Sequence, residues 1–346
     1  MNIKIVIAPD SFKECLSAFE VADAIADAVK EAVPTAQVVT LPLSDGGEGT
    51  LDVLSNALGG TIYYTEVSDP LGRQIKAKYA VAGTTAIIEV AQAVGLNLLQ
   101  PSERNPLITT TRGIGELMLA AHAKGCTNFL IGLGGSSTCD GGAGMLSVPN
   151  ICTSLSNCSF TILCDVDNPF IGPLGAARVF APQKGASPED VEVLEKRLTA
   201  IAAKAFQQTG IDIATLPGAG AAGGLGGTFM AYFKAQKVSG VDKVLELVKF
   251  QERIAKGNLI ITGEGKSDAQ TLMGKLPCGV LKRSGGIPVA LLSGRIEDEK
   301  ALKAAGFKYT IEVSPRHLPL LQALNPATAK SNLASATRQL LDLSGR

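Results

Sequence analysis

Short apolar runs alternate along the chain with segments whose apolar positions recur at helical spacing. Ile3-Lys4-Ile5-Val6-Ile7-Ala8 reads as a buried strand that breaks at Pro9-Asp10, and Pro9 to Leu16 as a polar loop. Ser17-Ala18-Phe19-Glu20 is a capping box, and Val21, Ile25, Ala28 and Val29 then predict a helix closed by Pro34. A second strand, Gln37 to Leu41, leads into Asp45-Gly46-Gly47-Glu48-Gly49-Thr50 and a helix stopped by Gly59-Gly60. From 61 to 90 the texture becomes a meander: Thr61 to Val67, Gln74 to Ala82 and Thr85 to Val90 read as strands separated by turn residues. A long amphipathic helix starts at Pro188 and runs to about Gln208. Strands return at Asn258 to Thr262, Ile287 to Leu292 and Lys308 to Val313, and Ala327 to Leu343 closes the chain as a helix. The expected fold is α/β with two domains. Residues 1–60 and 245–346 would form a Rossmann- or flavodoxin-like parallel sheet from both chain ends, and 61–244 an inserted mixed α/β domain.

A chain of 346 residues is long for a single core, which agrees with two domains. Lys+Arg and Asp+Glu balance at 32 each, so no bulk field draws the chain to nucleic acid or an anionic membrane. The expected partner is a small molecule. Seven scattered cysteines form no CxxC and no zinc spacing, as expected for a reducing compartment. The N-terminal apolar run is too short for most signal peptides, and no run is long enough to span a bilayer, so the expected location is cytoplasmic.

Three loops carry the candidate chemistry. Gly132-Leu133-Gly134-Gly135-Ser136-Ser137-Thr138-Cys139-Asp140-Gly141-Gly142-Ala143-Gly144 follows a strand, Asn128 to Ile131. Its glycines would let backbone amides converge on an anion, with hydroxyls adding donors. Gly218-Ala219-Gly220-Ala221-Ala222-Gly223-Gly224-Leu225-Gly226-Gly227 contains a GxGxxG match, and Asp242 stands near the position of a ribose-binding acid. Pro217 precedes it, however, and no strand enters it, so close packing or phosphate contact is the stronger reading than NAD. Gly263-Glu264-Gly265-Lys266-Ser267 ends like a Walker A loop, but Ile260 occupies the required first glycine.

Carboxylates concentrate in loops: Asp10, Asp45, Glu48 and Asp140, then Asp165, Asp167, Glu264 and Asp268. Loop carboxylates commonly cap helices or turns. So many beside glycine loops also suit Mg²⁺, which takes one or two carboxylates together with phosphate oxygens. Lys13, Arg104, Lys184 and Lys266 are the cations near these loops, available to phosphoryl oxygens or a carboxylate. His122 falls within an expected helix and His317 near prolines, and neither has a nucleophile at triad spacing.

Taken in order, IAPDSFKECLSA (7–18), SDGGEGT (44–50), RNPLITTTRGIGEL (104–117), IGLGGSSTCDGGAGM (131–145), CDVDNPFIGPLGAARVFAPQKGA (164–186), PGAGAAGGLGG (217–227) and ITGEGKSDAQTLMGK (261–275) resemble the bacterial glycerate kinases that phosphorylate the 2-hydroxyl. The resemblance implies a two-domain α/β fold with the active site in the cleft between domains. It also implies ATP and Mg²⁺, with D-glycerate as acceptor and 2-phosphoglycerate as product. Laid on the loops, that reaction makes Asp10, Lys13, Asp165, Asp167 and Lys184 the catalytic candidates. Gly134, Gly135, Ser136, Ser137 and Thr138 would hold the nucleotide, with Gly220, Gly223, Gly224, Gly263, Glu264 and Gly265. Ser11, Asp45, Gly46, Gly47, Glu48 and Arg104 would hold the acid, and Asp140, Asp167 and Asp268 the metal.

Two departures stand out. Cys139 replaces the family's usual Asn, and the stretch after Met145, about 146–155, is shorter than in the family by a few dozen residues. The alternatives are a truncated relative with impaired catalysis and an NAD-dependent oxidoreductase.

Overall fold

In chain order the strands are β1 (Lys4–Ile7), β2 (Gln37–Thr40), β3 (Thr61–Ser68), β4 (Gln74–Ala82), β5 (Thr85–Glu89), β6 (Asn128–Gly132), β7 (Ser159–Leu163), β8 (Gln236–Val238), β9 (Leu259–Ser267), β10 (Val289–Ile296) and β11 (Tyr309–Glu312). The computed structural model describes residues 3–345. The chain divides into Met1–Asp45 with Val241–Arg346, and Gly46–Gly240.

The first unit holds a wholly parallel sheet in the order β11-β10-β9-β1-β2. Ile5, Ile7, Ile261 and Leu292 face helices Ala18–Ala32 and Pro326–Leu343, which supply Val21, Ile25, Val29, Leu333 and Leu340. Val6, Ile260 and Leu291 alternate with them along the strands and are just as buried. A parallel sheet covered on both faces needs continuous apolar strands, which explains why β1 shows no polar alternation. Each such side chain contributes roughly 1.5–3 kcal/mol of burial. The capping box forms as expected: the Ser17 hydroxyl accepts from the Glu20 amide, and the Glu20 carboxylate accepts from the Ser17 amide at 3.0 Å.

The second unit carries a mixed sheet, β3-β4-β5-β6-β7-β8, antiparallel through β5 and parallel from β5 onward. The expected meander is the antiparallel part. Both unit boundaries differ from the expected residues 60 and 245. Helix Thr50–Leu58 lies with the second unit because Glu89 accepts from its Leu51 amide at 2.6 Å and Lys78 pairs with Asp52 at 2.8 Å. Helix Gly240–Leu247 packs back on the first, with Gly279 accommodating Val241 and Leu245.

The shortened stretch lies in the crossover from β6 to β7. It retains two short helices, Ala143–Leu146 and Ile151–Ser154, and buries Met145, Val148, Ile151 and Leu155 in the unit's core. Gly115 makes room for it, since a Cβ there would lie 2.8 Å from Val148 and 2.9 Å from Ile151. The crossover therefore closes without an exposed core. All seven cysteines are free thiols. No helix among the described residues is long and apolar enough to cross a membrane.

Candidate functional site

Strand order reverses direction at β1 in the first unit: the chain passes from β1 to β2 on one side, and β9 lies on the other. In open α/β sheets ligands settle beyond the carboxyl ends of the strands at such a switch point. A hollow of about 370 Å³ lies there. The loop after β1 supplies Asp10, Ser11 and Lys13, the end of β9 supplies Glu264 and Gly265, and Asp45 and Lys275 are also among its charged lining. Six of these residues were expected site residues, brought together from three separate sequence segments.

The carboxylates are held away from water. Asp10 is buried, and burial raises its pKa well above the ordinary value. Nearby Asp45 and Glu264 raise it further, while the Ser11 amide and Lys13 oppose them. Glu264 is also raised, chiefly by burial, although it accepts from Ser267 Oγ at 2.9 Å and Thr271 Oγ1 at 2.6 Å and faces Lys275 Nζ at 3.6 Å. Ser11 Oγ is buried and has no hydrogen-bond partner among the described residues. Gly263, by contrast, belongs to the sheet: a Cβ there would strike the Leu292 carbonyl. Lys266 is turned to Glu297 at 3.1 Å, with Asp268 at 3.9 Å.

In the second unit the glycine loop follows β6, and Lys184 enters it from outside. The Lys184 ammonium, 3% exposed, donates to Ser136 Oγ at 2.9 Å and to the Thr138 carbonyl at 2.7 Å. Burial lowers its pKa to about 8. Arg104 adjoins it, because Gly185 packs directly on the Arg104 backbone, and Arg104 Nε and Thr138 Oγ1 are buried without partners among the described residues. Ser137 is internal to the loop, its hydroxyl donating to the Val94 carbonyl at 2.9 Å. Glu89, at the end of β5, is buried and has its pKa raised to about 7 by that burial.

Other expected residues lie outside the lining of that hollow. Asp140 Oδ2 accepts from the Thr111 amide, the Thr111 hydroxyl and the Gly144 amide, and Oδ1 from the Gly142 amide. Those four hydrogen bonds are of the kind a capping carboxylate makes. Asp167 is exposed and paired with Lys237. Asp165 is exposed and accepts from Ser239 Oγ at 2.7 Å and the Gly240 amide at 3.0 Å. Gly134 is pressed on Gly47, and Gly135 takes a φ of 75°. Gly46 is pressed on Gly240 and Leu163, while Glu48 is exposed. Gly220, Gly223 and Gly224 abut the Pro169 carbonyl, the Thr138 carbonyl and the Phe170 ring, so they serve close backbone packing. The segment before them is the loop after helix Pro188–Thr209, not a strand, which removes the βαβ context that an NAD fingerprint requires. Cys139 is buried, and burial pushes its thiol up to about 11, so it sits there as an apolar group.

Among the described residues no three His, Cys, Asp or Glu side chains converge as a metal cage. Asp140 and Asp167 lie in the second unit and Asp268 in the first. Mg²⁺ seldom uses an all-protein cage and is usually held by one or two carboxylates with phosphate oxygens. The oxygen donors of the hollow, Asp10, Asp45 and Glu264, are of that kind.

Two residues escaped the sequence reading. Lys275 closes the segment from Ile261 to Lys275, but its pairing with Glu264 depends on the turn through Ala269–Met273. Glu89 ends the apolar run Ala86-Ile87-Ile88 as Asp10 follows β1, and an acid ending a buried strand was its signal.

The sequence pattern of the glycerate kinase family matches residues 5–149 and 147–344. Glycerate kinase of Bacillus subtilis (strain 168) is 41% identical over 358 positions, covering 94% of each chain. Glycerate 2-kinase of Escherichia coli (strain K12) is 40% identical over 329, covering 86% of each. The crystal structure of a protein assigned as glycerate kinase 2 from Salmonella typhimurium LT2 superposes with a TM-score of 0.85 at 37% identity, covering 100% of this chain and 99% of that one. The family match breaks at 147–149, within the shortened crossover. Since 94% of 346 residues is about 325, about 33 of the positions aligned with the Bacillus protein have no counterpart here. With its fold and nearly its whole length shared, the chain belongs to the glycerate kinase family, enzymes that phosphorylate a small molecule.

Proposed function

We propose that this chain transfers the γ-phosphoryl group of Mg·ATP to the 2-hydroxyl of D-glycerate, giving ADP and 2-phosphoglycerate. The observation that carries the reading is the hollow beside β1 and β9, where a buried carboxyl of raised pKa adjoins lysines. Phosphoryl transfer requires positioning, positive charge on the moving oxygens, and an acceptor for the hydroxyl proton. Asp10 is the proton acceptor in this reading, since the groups that raise its pKa also make it a better base near neutral pH. Lys13 and Lys275 face the phosphate oxygens, and the unpartnered Ser11 hydroxyl donates to a bound oxygen. Mg²⁺ bound with the phosphates would take an oxygen from Asp45 or Glu264 and neutralise phosphate charge. Lys184 and Arg104 are the second unit's candidates for an anionic group, because a buried ammonium without a carboxylate partner is costly unless an anion joins it.

The test is ADP release from Mg·ATP across a panel of hydroxy acids, with the phosphorylated position read by phosphorus NMR. Release that depends on D-glycerate and a phosphate ester at carbon 2 are expected. Folded protein that releases no ADP with D-glycerate refutes the reading.

A further inference from the structure

The hollow is not uniformly polar. Beyond its acidic end the walls are Val313, Leu320, Ala323, Leu324 and Ala329, from the end of β11 and the helices after it. Leu320 is 73% exposed. Leu320 is one of five apolar residues on this wall, and contiguous apolar surface lining a hollow, unlike a singly exposed leucine, marks a ligand-binding groove. Glycerate has no apolar face to offer such a wall.

The two ends are separated by the sheet itself. Asp10 follows β1, Glu264 lies on β9, Arg295 on β10, and Val313 follows β11, in the order of the strands. Three interstrand gaps of about 4.8 Å place the ends about 14 Å apart. That is the reach of a nucleoside triphosphate from base to last phosphate, and well beyond a three-carbon acid. The loop after β1 provides the anion end. Glu14 takes a φ of 60°, and within the loop the Cys15 and Leu16 amides turn back to the Phe12 carbonyl. No acceptor among the described residues takes the Lys13 and Glu14 amides. Successive amides beside a left-handed residue form an anion-binding concavity. Independently, Ser11, which lines the same hollow, is 9% exposed and its hydroxyl has no partner among the described residues. Cys15 Sγ approaches the Ala323 carbonyl at 3.9 Å, tying this loop to the short helix Leu320–Ala323.

We infer that this hollow is the nucleotide site, with the adenosine end of ATP against Leu320, Leu324 and Val313 and the phosphates on the loop Ser11–Glu14. The inference deepens the kinase reading above and rests on it for the identity of the nucleotide. Leu320 and Leu324 then set nucleotide affinity while leaving the acceptor's binding alone.

The test combines kinetics with equilibrium binding. Leu320→Glu alters an exposed side chain and leaves the core intact. It should raise the KM for ATP at least tenfold and leave the KM for D-glycerate within twofold. A fluorescent ribose-labelled ATP analogue should bind wild-type protein, be displaced by adenosine and not by D-glycerate, and bind Leu320→Glu at least tenfold more weakly. Leu324→Ala, read by analogue binding, should weaken it in the same direction. An unchanged ATP KM and analogue affinity in Leu320→Glu would overturn the assignment while the reaction stands. Displacement of the analogue by D-glycerate and not by adenosine would also overturn it. Adenosine-sensitive binding by wild-type protein that phosphorylates no hydroxy acid would leave the site standing and remove the reaction.

Discussion

Replacing Lys184 by methionine separates what the fold needs from what the reaction needs. The ammonium is buried, and its two acceptors, Ser136 Oγ and the Thr138 carbonyl, are both neutral. Burial moves its pKa from 10.5 to about 8, a shift worth about 3 kcal/mol. Below pH 8 the folded and unfolded chains both carry the proton, and the folded state bears that cost in full. Between pH 8 and 10.5 the unfolded chain holds more protons than the folded one, so wild-type stability climbs with pH and recovers most of the deficit. Methionine is close to lysine in length and carries no charge, but it leaves two acceptors short of a donor, at about 1–2 kcal/mol. At pH 7 Lys184→Met should therefore match or exceed wild type by about 1–2 kcal/mol, and by pH 10 the advantage should vanish or reverse. Urea unfolding at both pH values reports this through far-UV circular dichroism, since the chain has no tryptophan. Turnover should fall by roughly 10²–10³, the usual effect of removing one transition-state charge partner. A variant that loses more than about 2 kcal/mol at pH 7 would show the ammonium to be net stabilising and would refute the reasoning.

Glu89 titrates in the opposite sense. Burial raises its pKa from 4.5 to about 7, so its contribution to stability is full below pH 4.5 and is lost as pH rises through 7, by about 3 kcal/mol. Glu89→Gln should flatten the stability profile between pH 5 and 8, measured by urea unfolding at each pH. Asp140→Ala removes the acceptor of four hydrogen bonds and should cost about 3 kcal/mol of stability, read by thermal unfolding. If Asp140 is a cap, the affinity for Mg²⁺ in the presence of ATP should stay unchanged in any variant that folds. Asp10→Asn should lower kcat by roughly 10²–10³. It should also erase an acid limb of the pH–rate profile lying above the ordinary carboxylate range, because burial and the neighbouring acids raise the Asp10 pKa.

Local patterns determined much of this molecule. The unbroken apolar run of β1, the capping box at Ser17 and Glu20, and the strands flanking Pro70-Leu71-Gly72 were legible because each depends on neighbours in sequence. So were the acids at strand ends, and the order of the motifs identified the family. Tertiary structure decided which of those acids share a place. Asp10, Asp45 and Glu264 are distant in the chain and meet because β9 pairs beside β1 at the switch point. Asp140 has the same local sequence character, yet four amide and hydroxyl donors from its own loop and the start of the helix Arg112–Ala123 turn it to capping. Glycines divide in the same way: Gly265 lines the hollow, while Gly220 and Gly223 are needed where backbones touch. The physical reason is range. Capping, turn formation and strand periodicity act over a few residues, whereas desolvation, and with it the pKa of Asp10, Glu89 and Lys184, depends on what the rest of the chain packs around a side chain.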